Sequence, residues 1–126
     1  MRDSVHPVKI PSMLVKRLHD CSELEANDGC QVRELLHPKN DPVSLPFSLA
    51  ICTAAPGAKT YVHRLAQAEV YYILRGLGRA HVGHEIAEVG ADDAVLIPAG
   101  ESQWIENIGD GDLVFAAIVS ALVCGR

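Results

Sequence analysis

Between Pro46 and Ser120 the chain is written as eight short runs of strand-forming residues, each stopped after a few positions by turn-forming residues. No helix of ordinary length fits that rhythm, so it limits the fold more than any other feature. The runs are Phe47–Ala54, Lys59–Leu65, Glu69–Leu74, Arg79–Val82, Glu85–Val89, Ala94–Ile97, Ser102–Asn107 and Leu113–Ser120. Between them stand Pro56-Gly57, Gly76-Leu77-Gly78, Gly83-His84, Gly90 to Asp93, Pro98 to Gly100 and Gly109 to Asp112, each suited to a tight reversal between antiparallel neighbours. The spacing predicts an all-β fold, an antiparallel jelly-roll barrel.

A chain of 126 residues has room for one such barrel and no second core, so residues 1–126 read as a single domain. Residues 1–43, about a third of the chain, hold four of the seven prolines, nearly half of the charges and only short apolar runs, which marks an N-terminal arm with the first strands ahead of a barrel over 44–120. Within the arm, Ser22 to Ala26 reads as a turn of helix, and Asn27-Asp28-Gly29 as a turn leading into a strand over Gln31–Leu36. With 48% apolar and 21% charged residues, the composition is that of a globular protein. A net charge of −5 supplies no cationic face for a phosphate backbone, so nucleic acid is not an expected partner. The N-terminal stretch lacks the apolar core of a signal peptide, and no run is long enough to span a bilayer, which predicts a cytoplasmic protein with no membrane partner. Cys21, Cys30, Cys52 and Cys124 contain no C-x-x-C pair and are expected as reduced thiols, Cys52 filling space in an apolar run.

Alternation assigns the faces of the strands. Tyr61, His63 and Leu65 share one side of their run, Glu69, Tyr71 and Ile73 share the corresponding side of the next, and Gln103, Ile105 and Asn107 alternate with Trp104 and Glu106. His63, Glu69 and Gln103 would then converge inside one barrel. A lone carboxylate facing an apolar lumen is costly unless a cation, an imidazolium or a proton compensates it, which singles out Glu69 for function.

These positions resemble the two-part signature of the cupin family. Its first part runs Gly, five residues, His-x-His, three or four residues, Glu, six residues, Gly, and is met at Gly57, His63, Glu69 and Gly76. The second runs Gly, five residues, Pro-x-Gly, two residues, His, three residues, Asn, and is met at Pro98, Gly100 and Asn107. Leu65, Asp92 and Gln103 depart from it, standing where His, Gly and His are expected. The likeness covers roughly residues 44–120. It implies a cupin barrel, also called a double-stranded β-helix, with one divalent metal ion at its mouth, often paired as a homodimer through sheets or N-terminal strands. The arm at residues 8–36 is the expected interface.

In metal-binding cupins three histidines and a glutamate hold the ion. Here His63 and Glu69 remain, Gln103 offers a weaker amide oxygen, and Leu65 has no lone pair to give. So oxygen-rich a set favours manganese, iron, nickel or zinc over copper. The resemblance implies a metal-dependent enzyme acting on a small polar metabolite by isomerase, lyase or dioxygenase chemistry, with Glu69 doubling as acid or base. Tyr61, Leu65, Tyr71 and Ile105 would line the substrate pocket. The alternative is a metal-free cupin that binds a sugar or organic acid, in which Gln103 and Glu69 satisfy His63 or one another by hydrogen bonds. Elsewhere, His81 and His84 read as exposed, His37 as structural with the alternative of reaching the pocket from its own or a partner subunit, and His6 and His19 as incidental.

Overall fold

The computed structural model describes residues 12–42 and 44–120; His6, Cys124 and the start of the arm lie outside the described residues. After a single 3-10 turn, Leu18–Asp20, come ten strands: β1 Glu23–Asn27, β2 Cys30–Leu36, β3 Phe47–Ala54, β4 His63–Arg64, β5 Glu69–Arg75, β6 Leu77–Val82, β7 Glu85–Gly90, β8 Ala94–Ile97, β9 Ser102–Asn107 and β10 Leu113–Ser120. They form a six-stranded sheet, β1-β2-β3-β10-β5-β8, and a four-stranded one, β4-β9-β6-β7. Every pairing is antiparallel, and the insertion of β10 between β3 and β5 and of β9 between β4 and β6 is the jelly-roll crossing the spacing predicts. No helix among the described residues is long and apolar enough to cross a membrane.

Two expectations need correction. Ser22 to Ala26 is not a turn of helix, since Glu23–Asn27 forms a hairpin with β2 in which Leu24 faces Val32 and Glu23 faces Arg33. Gly29, at φ 78°, supplies the left-handed residue the hairpin needs, and pairing outweighs the local helix preference of Glu-Leu-Glu-Ala. The run from Lys59 to Leu65 is a strand only at His63–Arg64. Upstream, Thr60 replaces the ladder, its hydroxyl accepting the Ile105 N–H at 3.0 Å while its own N–H donates to the Ile105 carbonyl at 3.0 Å.

Register sets the side chains of the larger sheet in inward rows. One row runs Val32, Cys52, Phe115, Ile73; the next runs Glu34, Ala50, Ala117, Tyr71; the third runs Ser48, Val119, Glu69, Ile97. Around the first row, Phe115, Ile73, Leu113 and Ile105 are almost fully buried, each contributing about 1.5–3 kcal/mol by removal from water. In the second row Ala50 and Ala117 face one another where the first has Cys52 and Phe115. That loss of volume leaves the core unfilled at this end and opens it.

One signature position, Asn107, and one histidine outside the signature have structural work. Asn107 donates from Nδ2 to the Ala54 and Gly111 carbonyls, both at 2.8 Å, and accepts the Gly109 N–H on Oδ1, tying the β9–β10 turn to β3. His81 is half-buried on the outer face of the smaller sheet, not exposed as expected: its ring stacks on Trp104 at 3.6 Å and 7°, and Nε2 meets Glu106 at 2.8 Å. His84 is exposed in the β6–β7 turn.

Candidate functional site

The open end holds a cavity of about 390 Å³ between the six-stranded sheet and the segment from Thr60 to Gln67. Its apolar wall comes from the inward rows: Val32, Ala50, Cys52, Phe115, Ala117 and Val119. Its polar groups are Glu34 and His37 from β2 and the turn after it, Ser48 from β3, Tyr61, His63 and Gln67 from the opposite side, and Glu69 from β5. Among the described residues, no lysine or arginine lines it.

His63, Glu69, Tyr61, Leu65 and Tyr71 therefore line one cavity. Tyr61 stands at its rim, 62% exposed. Gln103, 1% exposed, lies behind Glu69 and does not line the space, and Ile105 belongs to the core at 0%. Glu34 and Gln67 were not singled out from sequence, and His37 was read as structural. The signal for Glu34 was available, since it stands two residues from Val32 along β2 and shares its side, although a register shift after Glu34 ends the alternation before Leu36.

Behind the wall runs a short chain of hydrogen bonds. The Tyr71 hydroxyl donates to Gln103 Oε1, and Gln103 Nε2 donates to Glu69 Oε1 at 2.6 Å. Both ends of the Gln103 amide are thereby committed. Glu69 is 6% exposed and lines the cavity, and its other oxygen has no protein hydrogen bond among the described residues. Burial raises its carboxyl above the ordinary glutamate range, with the Gln103 amide and then His63 opposing. Burial, then the nearby Glu69 charge, also raises the Tyr71 hydroxyl, which stays a donor. The same two causes, in the same order, push the Cys52 thiol up to about 12, so it is an inert wall group rather than a nucleophile.

The histidine tautomers follow from their partners. His63 Nδ1 lies 2.9 Å from the Tyr61 carbonyl, which only accepts, so Nδ1 carries a proton and, in the neutral ring, Nε2 presents a lone pair. His37 Nδ1 accepts the Lys39 N–H at 3.0 Å, which leaves Nε2 as the N–H of the neutral ring. The His37 turn is fastened by Asp41, whose carboxylate takes the His37 N–H at 2.9 Å and the Lys16 ammonium at 2.5 Å.

The metal ion that the signature implies does not fit this donor set. His63 Nε2 and one Glu69 oxygen are free, but Gln103 Oε1 is taken by Tyr71 and Leu65 has nothing to offer. Among the described residues no group of three or more His, Cys, Asp or Glu is close enough to hold an ion. Structural and catalytic metal sites ordinarily need at least three protein ligands. A larger groove, about 580 Å³, runs between the edge strands β7 and β8, but it lies away from His63 and Glu69 and is bordered mainly by Val82, Ile86, Val95 and Leu96.

Residues 50–119 match the family described as the cupin domain. An uncharacterized protein of Methanocaldococcus jannaschii is 40% identical over 84 residues, 66% of each chain. An oxalate-binding protein of Thermotoga maritima is 37% identical over 68 residues, 53% of this chain. The chain thus spans 66% of the length of the first and 56% of the second. Among solved structures, a predicted oxalate decarboxylase of Thermotoga maritima superposes with TM-score 0.73 at 27% identity, over 86% of this chain and all of the other. A mutant of Bacillus subtilis oxalate decarboxylase gives TM-score 0.75 at 28% identity over 82% of this chain and 29% of the other.

Proposed function

The chain belongs to the cupin family, and from that premise we propose that it is a small-molecule-binding cupin whose pocket works without a resident metal. The observation that carries this is the commitment of Gln103: its oxygen accepts from Tyr71 and its nitrogen donates to Glu69, so the residue at the last ligand position serves the wall instead of an ion. Leu65 adds an apolar face at a second ligand position. A cavity of about 390 Å³ suits a drug-sized or smaller ligand, with an apolar body against Ala117 and Val119 and a polar end at Glu69 and His63. The relative named as an oxalate-binding protein supports a small-molecule ligand in this barrel. A metal-dependent enzyme would require the Tyr71–Gln103 bond to open and a further donor to enter, and among the described residues no third His, Cys, Asp or Glu stands close enough to be it.

Elemental analysis of protein purified without a histidine tag, beside native mass spectrometry, tests this. Substoichiometric metal in parent and His63→Ala alike is expected. Near-stoichiometric transition metal that disappears in His63→Ala would replace this function with the metal-dependent one.

A further inference from the structure

We infer that the occupant of the cavity is a small organic cation, an ammonium group on an apolar body, whose N–H donors meet Glu69 while Glu34 adds a second negative charge across the same cavity. The inference rests on the metal-free binding function above and names its ligand class. Its ground is the sign of what the cavity presents. Glu69 is buried, lines the space, and has one oxygen with no protein hydrogen bond among the described residues. In the neutral His63 ring, Nε2 is an acceptor, since Nδ1 donates to the Tyr61 carbonyl. Glu34 adds a second carboxylate, of which only Oε1 is engaged, by Asn40 at 2.8 Å.

Among the described residues no lysine or arginine lines the cavity to balance these two carboxylates. A carboxylate ligand would bring a third negative charge beside them, whereas a cation favours the charged form of Glu69 that burial opposes. A bare metal ion is too small for the task, since no three of these His and Glu groups are close enough to share one. An ammonium needs only one or two of these acceptors, and its carbon body fills the apolar part of the cavity. Tyr61, exposed at the rim, places an aromatic ring beside that body.

Benzylammonium, benzyl alcohol, benzoate and oxalate, titrated separately and followed by calorimetry and 1H–15N shift mapping, form the test. Benzylammonium is expected to bind saturably, with shifts at Tyr71, Ala117 and Val119, and about tenfold or more tighter than benzyl alcohol or benzoate. Glu69→Gln is expected to remove most of that preference. Should Glu69→Gln fail to fold, Glu34→Gln carries the same comparison with a smaller loss. Tighter binding of benzoate or oxalate, equal binding of benzyl alcohol, or an undiminished preference in the folded variants would overturn the cation while leaving the pocket a binding site. Failure of all four probes to bind at millimolar concentration would overturn the binding function itself, and the cation with it.

Discussion

The packed end of the barrel and its mouth are built by the same strands on the same inward face, and they differ only in what those strands carry. Along β10 the inward residues pass from Leu113 and Phe115 to Ala117 and Val119; along β5 they pass from Ile73 through Tyr71 to Glu69; along β9 they pass from Ile105 to Gln103. Pairing of β10 with β3 runs unbroken from one end to the other. A cavity with a buried acid therefore needs no special backbone. Shrinking two side chains and exchanging two apolar residues for polar ones is enough, provided that the new polar groups satisfy each other, as Tyr71, Gln103 and Glu69 do.

The contrast is sharpest in stability. Ile73→Ala at the packed end should cost about 2–5 kcal/mol in urea unfolding, because the site has no room to collapse. Ala117→Leu at the mouth should stay within about 1.5 kcal/mol of the parent, because it grows into space, while blocking benzylammonium. Equal losses at the two positions would mean that the mouth is packed like the core. A second change rebuilds the mouth: Leu65→His with Gln103→His should raise nickel or manganese affinity by about 10- to 100-fold over the parent, read by calorimetry. No gain would show that something other than the donor set keeps metal out.

A smaller effect comes from Glu69 through pH. Its folded carboxyl binds a proton more tightly than the ordinary value near 4.5, so the folded state holds that proton where the unfolded chain has lost it. The group's contribution is most favourable below the ordinary value, declines as pH rises toward the raised one, and is constantly unfavourable above it. Glu69→Gln should remove this decline, gaining on the parent with rising pH by something on the order of 1 kcal/mol, measured by chemical unfolding across that window. Parallel pH profiles would show that Glu69 is not desolvated. The smallest effect lies at the rim. Lys16→Met removes the 2.5 Å contact to Asp41 and should cost about 0.5–1 kcal/mol. Because that contact lowers the Asp41 pKa, the loss should be present at neutral pH and fade as pH falls through the lowered value.

The barrel was legible because its signals are local. Phe47–Ala54, Ala94–Ile97, Ser102–Asn107 and Leu113–Ser120 begin and end where turn residues and alternation place them. The inward sets Glu69-Tyr71-Ile73 and Gln103-Ile105-Asn107 are buried as alternation requires. What was not legible depends on pairing across the chain. Glu-Leu-Glu-Ala has helical preference by itself and becomes β1 only because β2 lies beside it. His37 reaches the cavity only because β2 pairs with β3, far from the signature motif in sequence. Whether Gln103 ligates or supports could not be read from spacing either, because the answer lies in the hydroxyl of Tyr71 across the barrel.

The central claim is that Gln103 belongs to the wall and that His63 and Glu69 do not hold a metal together. The most direct measurement is 15N NMR of the His63 ring and the Gln103 side-chain amide during addition of one equivalent of zinc. Unchanged His63 Nε2 and Gln103 signals are the predicted result. A saturating shift of His63 Nε2 at one equivalent, accompanied by movement of the Gln103 amide and lost in Glu69→Gln, would contradict it.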